Sequence, residues 1–300
     1  MMLEEMFLNG LIYSNLLALL SIGLSLTILT SKVSSFAHGD LAVVGIYATY
    51  TLSILTHLTP YLQLPAAFLA GASVSALIYI LVFDKLRDKA NLVTLMIVSM
   101  AIDIILRGSL QLYADSIQAA LHVFGRGFIF SDTSYEFLGV RVSGVLVYST
   151  LVTALLLVSL YFILFKTKLG IAMRASIENP SLAETLGINV RRVFTISWAL
   201  AGGLAAVAGA FLPFRMPVNP DTGFTLLLSI FAAVTVGGLT SLLGSVLGAY
   251  IIGFSETFFT FWLSSIGLST AYRPALAFTA IIITLLISPQ GLSALWSKKG

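Results

Sequence analysis

A few side chains in this sequence could do chemistry. Asp103 and Arg107 lie four residues apart, acid first, inside the apolar run 91–112. That spacing puts both on one helix face in the order that favours an ion pair. Glu256 stands alone in the run 246–262, and His38, Gly39 and Asp40 open the run 40–56. Inside a membrane helix such groups cost about 2.5–3.5 kcal/mol each near the centre, so each is a candidate for a conducting path or for pairing with another helix. Asp103 and Arg107 read as a self-neutralising structural pair. Glu256 either takes a partner from a neighbouring helix or lines an aqueous path. Asp40 reads as the N-cap of the helix it opens, with His38 and Gly39 as a polar break at the inner end of a path. Other chemistry is poorly supplied. There is no cysteine, so thiol catalysis and Cys-ligated metal are excluded. His38, His57 and His122 have no metal-ligand spacing; neither a metal nor a cofactor is expected. Ser35 near His38, and Ser255 beside Glu256, lack the orienting third group of a nucleophile–base set. No catalytic residue is assigned, and the chain does not read as an enzyme.

The elements that hold these groups follow from composition. Of 300 residues 58% are hydrophobic and 10% charged, against about 25% charged in an ordinary soluble domain; mean hydropathy is +1.00. This excludes a soluble enzyme, a disordered chain and a nucleic-acid-binding module. Long apolar runs in place of alternation exclude a transmembrane β-barrel. The runs lie at 6–30, 40–56, 64–83, 91–112, 143–165, 193–212, 224–239, 246–262 and 275–288. The expected fold is all-α: one multi-pass transmembrane helical bundle over 1–300, with about nine spans. Eight result if 224–262 makes one span and a broken helix. Glu4 and Glu5, and the length of the first run, argue against a cleaved signal. With the N-terminus outside, the inner connections carry Lys32, Lys85, Arg87, Lys89, Lys166, Lys168, Arg174, Arg191, Arg192, Lys298 and Lys299. The outer ones carry Arg126, Arg141, Arg215 and Arg273. Cytoplasmic loops concentrate Lys and Arg, so the N-terminus is expected outside and the C-terminus inside, which requires an odd number of crossings.

Two connections exceed simple hairpins. The outer loop 113–142 holds Tyr113, Phe124, Phe128, Phe130, Tyr135 and Phe137, which suits a lid, a docking surface or a loop resting on headgroups. The inner loop 166–192 carries Asn179 as N-cap, Pro180 at the first helical position, Glu184 in the helix and Gly187 as a left-handed stop. A helix over 180–186 follows, with Leu182, Ala183 and Leu186 as an apolar stripe. So short a helix needs a supporting surface, either its own membrane domain or another protein. Gly202, Ala206 and Gly209 share one face, as do Gly244, Gly248 and Ala249; small residues let membrane helices approach. Irregular backbone over Gly237, Gly238 and Gly244 survives at membrane depth only inside protein or beside water, and is expected to flank a path.

RASIENPSLAETLGINVRRV followed by LAGGLAAVAGAF resembles the cytoplasmic loop and next helix of permease subunits in branched-chain amino-acid ABC transporters. SFAHGDLAVVGIYATY at 35–50, NPDTGF at 219–224, VGGLTSLLGSVLGAYIIGFSE at 236–256 and LISPQGL at 286–292 are similar to further segments of that family, in order. The sequence departs from the family pattern at Thr240, Leu243, Ser288 and near Ser229, which bears on substrate more than on fold. The resemblance implies half of a translocation path in a cell (inner) membrane, with a second related permease, two cytoplasmic ATPase subunits and an external binding protein as partners. The 180–186 helix, with Glu178, would then be the ATPase-coupling element. No P-loop occurs in the sequence, so ATP would be hydrolysed by the partner subunits. Urea, short amides and other amino acids are alternative substrates. A stand-alone secondary transporter, coupled through Asp103 or Glu256, is the competing mechanism.

Overall fold

A computed structural model describes residues 2–87, 89–137, 140–288 and 290–294. In chain order the helices are α1 (Met2–Ser31), α2 (His38–Thr56), α3 (Pro60–Leu86), α4 (Leu92–Leu121), α5 (Gly144–Lys166), α6 (Lys168–Glu178), α7 (Pro180–Thr185), α8 (Val190–Phe214), α9 (Thr222–Gly237), α10 (Leu242–Ser265) and α11 (Arg273–Ile287). Eight helical stretches among the described residues are long and apolar enough to cross a bilayer, the last of them running over Thr270–Ser293 with α11 at its centre; α9, at 16 residues, is shorter. At 1.5 Å per residue α9 is about 24 Å long, less than the roughly 30 Å hydrocarbon core.

The helices α1 and α8 are almost wholly buried at the centre, while α4, α5 and α11 turn Ile104, Ile105, Leu155, Phe162, Ile282 and Leu286 outward, the pattern of a lipid-facing rim. Close contact in the middle depends on small residues. A Cβ on Gly202 would strike Ser75 and the Gly71 carbonyl of α3, and one on Gly209 the Ala42 carbonyl of α2. In the same way Gly237 and Gly244 each sit against the other's carbonyl, which draws α9 and α10 together. Lipid gives no hydrophobic drive for helix association, so such approach gains dispersion where bulk would forbid it.

Two connections run inward instead of turning at the surface. After α1 the segment 32–37 doubles back, and His38 Nε2 donates to the Leu20 carbonyl at 2.9 Å. Leu20 is eleven residues before the end of α1, so α2 begins about 16 Å inside the bundle. After α8 the segment 215–221 bridges Phe128 through Val218 and reaches α9, whose Gly223 lies against Gly39 of α2. The chain leaves α8 at one end of the bundle and enters α10 at the other. Ser25, near the end of α1, donates to the Leu239 carbonyl at 3.2 Å. The short α9 and its lead-in join those two ends.

Several expectations need correction. Among the described residues the fold is helical apart from a hairpin, β1 (Ser134–Phe137) with β2 (Val140–Ser143), paired Ser134 to Ser143. The aromatic loop does not begin at 113, because α4 continues to Leu121; Tyr113 sits on a helix. The inner loop 166–192 holds a second helix, α6, whose N-cap Thr167 accepts from Gly170 N at 3.2 Å. Lys298 and Lys299 lie outside the described residues, as do the side chains of Phe137 and Arg141.

Candidate functional site

The first polar cluster forms where the N-termini of α2 and α9 meet. Asp40 does not cap α2: the helix begins at His38, Ala37 is the cap residue, and no side chain supplies the cap. Two residues of helix precede the carboxylate, so it lies beyond the capping position. Asp40 is fully buried, neither of its oxygens has a hydrogen-bond partner among the described residues, and Oδ2 is 4.0 Å from Arg107 Nε. Arg107 Nη2 donates to Asp103 Oδ2 one turn away. The i, i+4 pair is therefore a triad: two carboxylates share one guanidinium, whose face lies 4.4 Å from the Phe224 ring centroid. His38 is also fully buried, with Nδ1 unpartnered.

The second cluster is at the hairpin end of the bundle. Glu256 is fully buried, and its Oε2 accepts from Tyr13 Oη at 3.1 Å and from Arg273 Nε at 2.7 Å. The Arg273 guanidinium also stacks 4.2 Å from the Tyr13 ring. Beside them opens a cavity of about 390 Å³ lined by Tyr13, Arg273, Arg215, Asn9, Met216 and Phe261 among others. Arg215 Nη1 donates to the Asn9 carbonyl at 2.8 Å. Burial, then the like charge of Arg273, holds the Arg215 guanidinium below its ordinary value.

The third feature is α7. Asn179 Oδ1 accepts from Leu182 N at 3.0 Å. Gly187, at φ 84°, closes the helix, with its N–H to the Glu184 carbonyl and that of Ile188 to the Ala183 carbonyl, both 3.0 Å. The regular helix ends at Thr185, with Leu186 as its cap. The apolar stripe is split. Ala183 is 1% exposed against the membrane domain, whereas Leu182 and Leu186 are 57% and 72% exposed. Glu184 bonds to Arg87 at 3.3 Å and Arg191 to Asp84 at 2.8 Å, which ties α7 and the start of α8 to the end of α3. Lys32, Arg87 and Pro180 border one cleft there, so the Lys- and Arg-rich connections gather at one end.

The glycine turn is tight. Gly238 adopts φ 107°, and Gly291, at φ 64°, packs on the Gly238 amide and the Thr235 carbonyl. The structure thus joins His38, Gly39, Asp40, Asp103 and Arg107 in one region and Gly237, Gly238 and Gly244 in another, with Glu256 apart from both.

A family model described as branched-chain amino acid transport system / permease component matches residues 6–287. A probable branched-chain amino acid transport permease protein LivH from Methanocaldococcus jannaschii is 43% identical, over 98% of this chain and 94% of its own length. The high-affinity branched-chain amino acid permease LivH of Escherichia coli K12 is 29% identical over 97% and 94%. The ribose import permease RbsC of the same strain is 26% identical over 90% and 81%. No solved structure matches.

The chain belongs to the branched-chain amino acid transport permease family.

It is a multi-pass membrane permease of an ABC transport system and not an enzyme; such a permease works with ATPase and binding-protein partners. Within this permease, sequence reading paired Asp103 with Arg107 but missed the partners of Asp40 and Glu256. Arg273 counts as a loop cation in the sequence, yet it neutralises Glu256 from the first residue of α11. Asp132 drew no notice, but it accepts from Tyr61 Oη at 2.6 Å and Ser143 Oγ at 2.9 Å and so fastens the hairpin to α3 and α5. The hairpin-end aromatics divide: Phe128 stacks on Tyr50 at 3.8 Å, while Phe124 is 80% exposed.

Proposed function

We propose that this permease forms one half of the transmembrane path of an importer for branched-chain amino acids, with α7 as the element through which a cytoplasmic ATPase moves it. The observation that carries the reading is α7 itself. It is a two-turn helix pinned at both ends and tied to the bundle on one side. Its other side presents Leu182 and Leu186 beside Lys- and Arg-rich connections. Exposed leucines among charges suit a protein partner better than lipid or water. Glu178, Asn179, Pro180, Ala183, Glu184 and Gly187 complete the coupling element, Ala183 facing inward.

In this reading the N-terminus is outside and the C-terminus inside. The discontinuous α9 and its lead-in make a ninth crossing of one permease domain. A short helix whose N-terminus meets another helix's N-terminus inside the bundle is a device of transport paths. His38, Gly39 and Asp40 belong to that junction, and Gly237, Gly238 and Gly244 to the close α9–α10 contact below it. Being buried, these groups and Glu256 act as a layer behind the path that sets how its helices move. A second related permease supplies the other half, two ATPases bind at the α7 end, and an external binding protein meets the hairpin end.

The test is reconstitution. The chain with its permease partner, two ATPases and binding protein in proteoliposomes should take up leucine only with ATP; flux through the chain alone on an ion gradient would establish a secondary transporter instead. Similarity to a ribose permease favours a second reading, import of another small solute. Ribose or urea displacing leucine as the accumulated solute would establish it.

A further inference from the structure

The hairpin-end cavity is built for an anion. It is roomy at about 390 Å³, within the roughly 300–1,000 Å³ of small-molecule pockets. Arg215 and Arg273 both line it, and no acid does. Glu256 lies behind Tyr13 and Arg273, and its carboxylate balances one of the two guanidiniums. Arg273 uses Nε on Glu256, and Arg215 uses Nη1 on the Asn9 carbonyl. Arg273 also faces Tyr13, and the other N–H groups of Arg215 form no further hydrogen bond among the described residues. A surplus positive charge with free donors attracts an oxyanion, and a planar guanidinium matches a carboxylate. Leu212, Met216 and Phe261 supply an apolar wall beside these donors.

We propose that this cavity is an entry site for the imported amino acid, in which Arg215 and Arg273 hold its carboxylate and the apolar wall holds its aliphatic side chain. The inference rests on the importer reading above. A phospholipid phosphate has the same oxyanion chemistry, so the experiment must tell the two apart.

The complete transporter is placed in phosphatidylcholine nanodiscs, and leucine binding is measured without binding protein, in competition with valine and with leucinol, which lacks the carboxylate. Uptake is measured with binding protein in liposomes. Wild type should bind leucine, yield to valine and ignore leucinol. Arg215→Gln should weaken leucine binding and slow uptake by about 10- to 100-fold, the worth of one charge-assisted hydrogen bond. Arg215→Lys should recover part of the loss. Arg273→Gln alone would strand Glu256, so it is paired with Glu256→Gln, and the pair should reproduce the binding defect. Leucinol competing as well as valine, or Arg215→Gln taking up leucine at the wild-type rate, would overturn the proposal while leaving the importer intact. So would phosphatidylglycerol retained by wild type, lost in Arg215→Gln and indifferent to leucine. No ATP-dependent uptake of leucine by wild type would instead strike the functional reading itself.

Discussion

Replacing Arg107 with Met tests the buried triad. Asp40 is fully buried, the Asp103 side chain is 9% exposed and that of Arg107 20%. At 4.0 Å the Asp40–Arg107 attraction is about 4 kcal/mol at an effective dielectric of 20. Removing the cation forfeits that term and the Asp103 bond, until one acid takes up a proton and limits the damage. The expected loss is about 3–5 kcal/mol, the usual result of breaking a buried pair by one partner. Asp40→Asn should behave differently. It leaves one acid with one guanidinium and removes the surplus negative charge, so its cost should stay below about 1 kcal/mol. The Phe224 face contributes to the Arg107 effect about 0.5–2 kcal/mol, which Phe224→Leu measures separately. The assay is unfolding of the purified permease in mixed micelles with increasing dodecyl sulfate, followed by fluorescence of buried Trp198. If Asp40→Asn costs as much as Arg107→Met, both acids are individually needed and the surplus-charge reasoning is wrong.

Charge reversal at Glu178 and Glu184 should uncouple ATP hydrolysis from leucine uptake. It should cost about 1 kcal/mol of stability, since the Glu184–Arg87 pair is partly exposed; coupled uptake at the wild-type rate would count against α7 as the contact. Asn179→Ala removes the bond to Leu182 N and should cost α7 about 1 kcal/mol, read as faster amide exchange over 180–186 with the rest of the bundle unchanged. Gly209→Leu drives a side chain into the Ala42 carbonyl and should abolish the monodisperse peak in size-exclusion chromatography. Gly108→Ala meets nothing within 4 Å and should gain up to about 1 kcal/mol in helix propensity; equal behaviour of the two would refute close packing as the reason for Gly209.

Much of this permease was legible because a bilayer is a demanding solvent. Every backbone polar group must be satisfied within its own helix, so apolar run length alone located the long helices, mostly to within a few residues. The caps of α7 were legible for the same local reason: Asn179, Pro180 and Gly187 act on neighbouring backbone, and none of that depends on the rest of the fold. Hydropathy could not see the extension of α4 through Tyr113 to Leu121, or α6, because their polar residues resemble those of loops.

The sequence by itself determined that the chain is a multi-span helical protein and marked its few costly charges. Which groups answer those charges was decided only in three dimensions. Asp40 is joined to Arg107 across 67 positions of chain and Glu256 to Tyr13 across 243, because the doubling back of 32–37 and the packing of α1 on α10 bring them together. A charge in a low-dielectric interior is stabilised by whatever lies within a few ångströms, and distance along the chain carries no record of that.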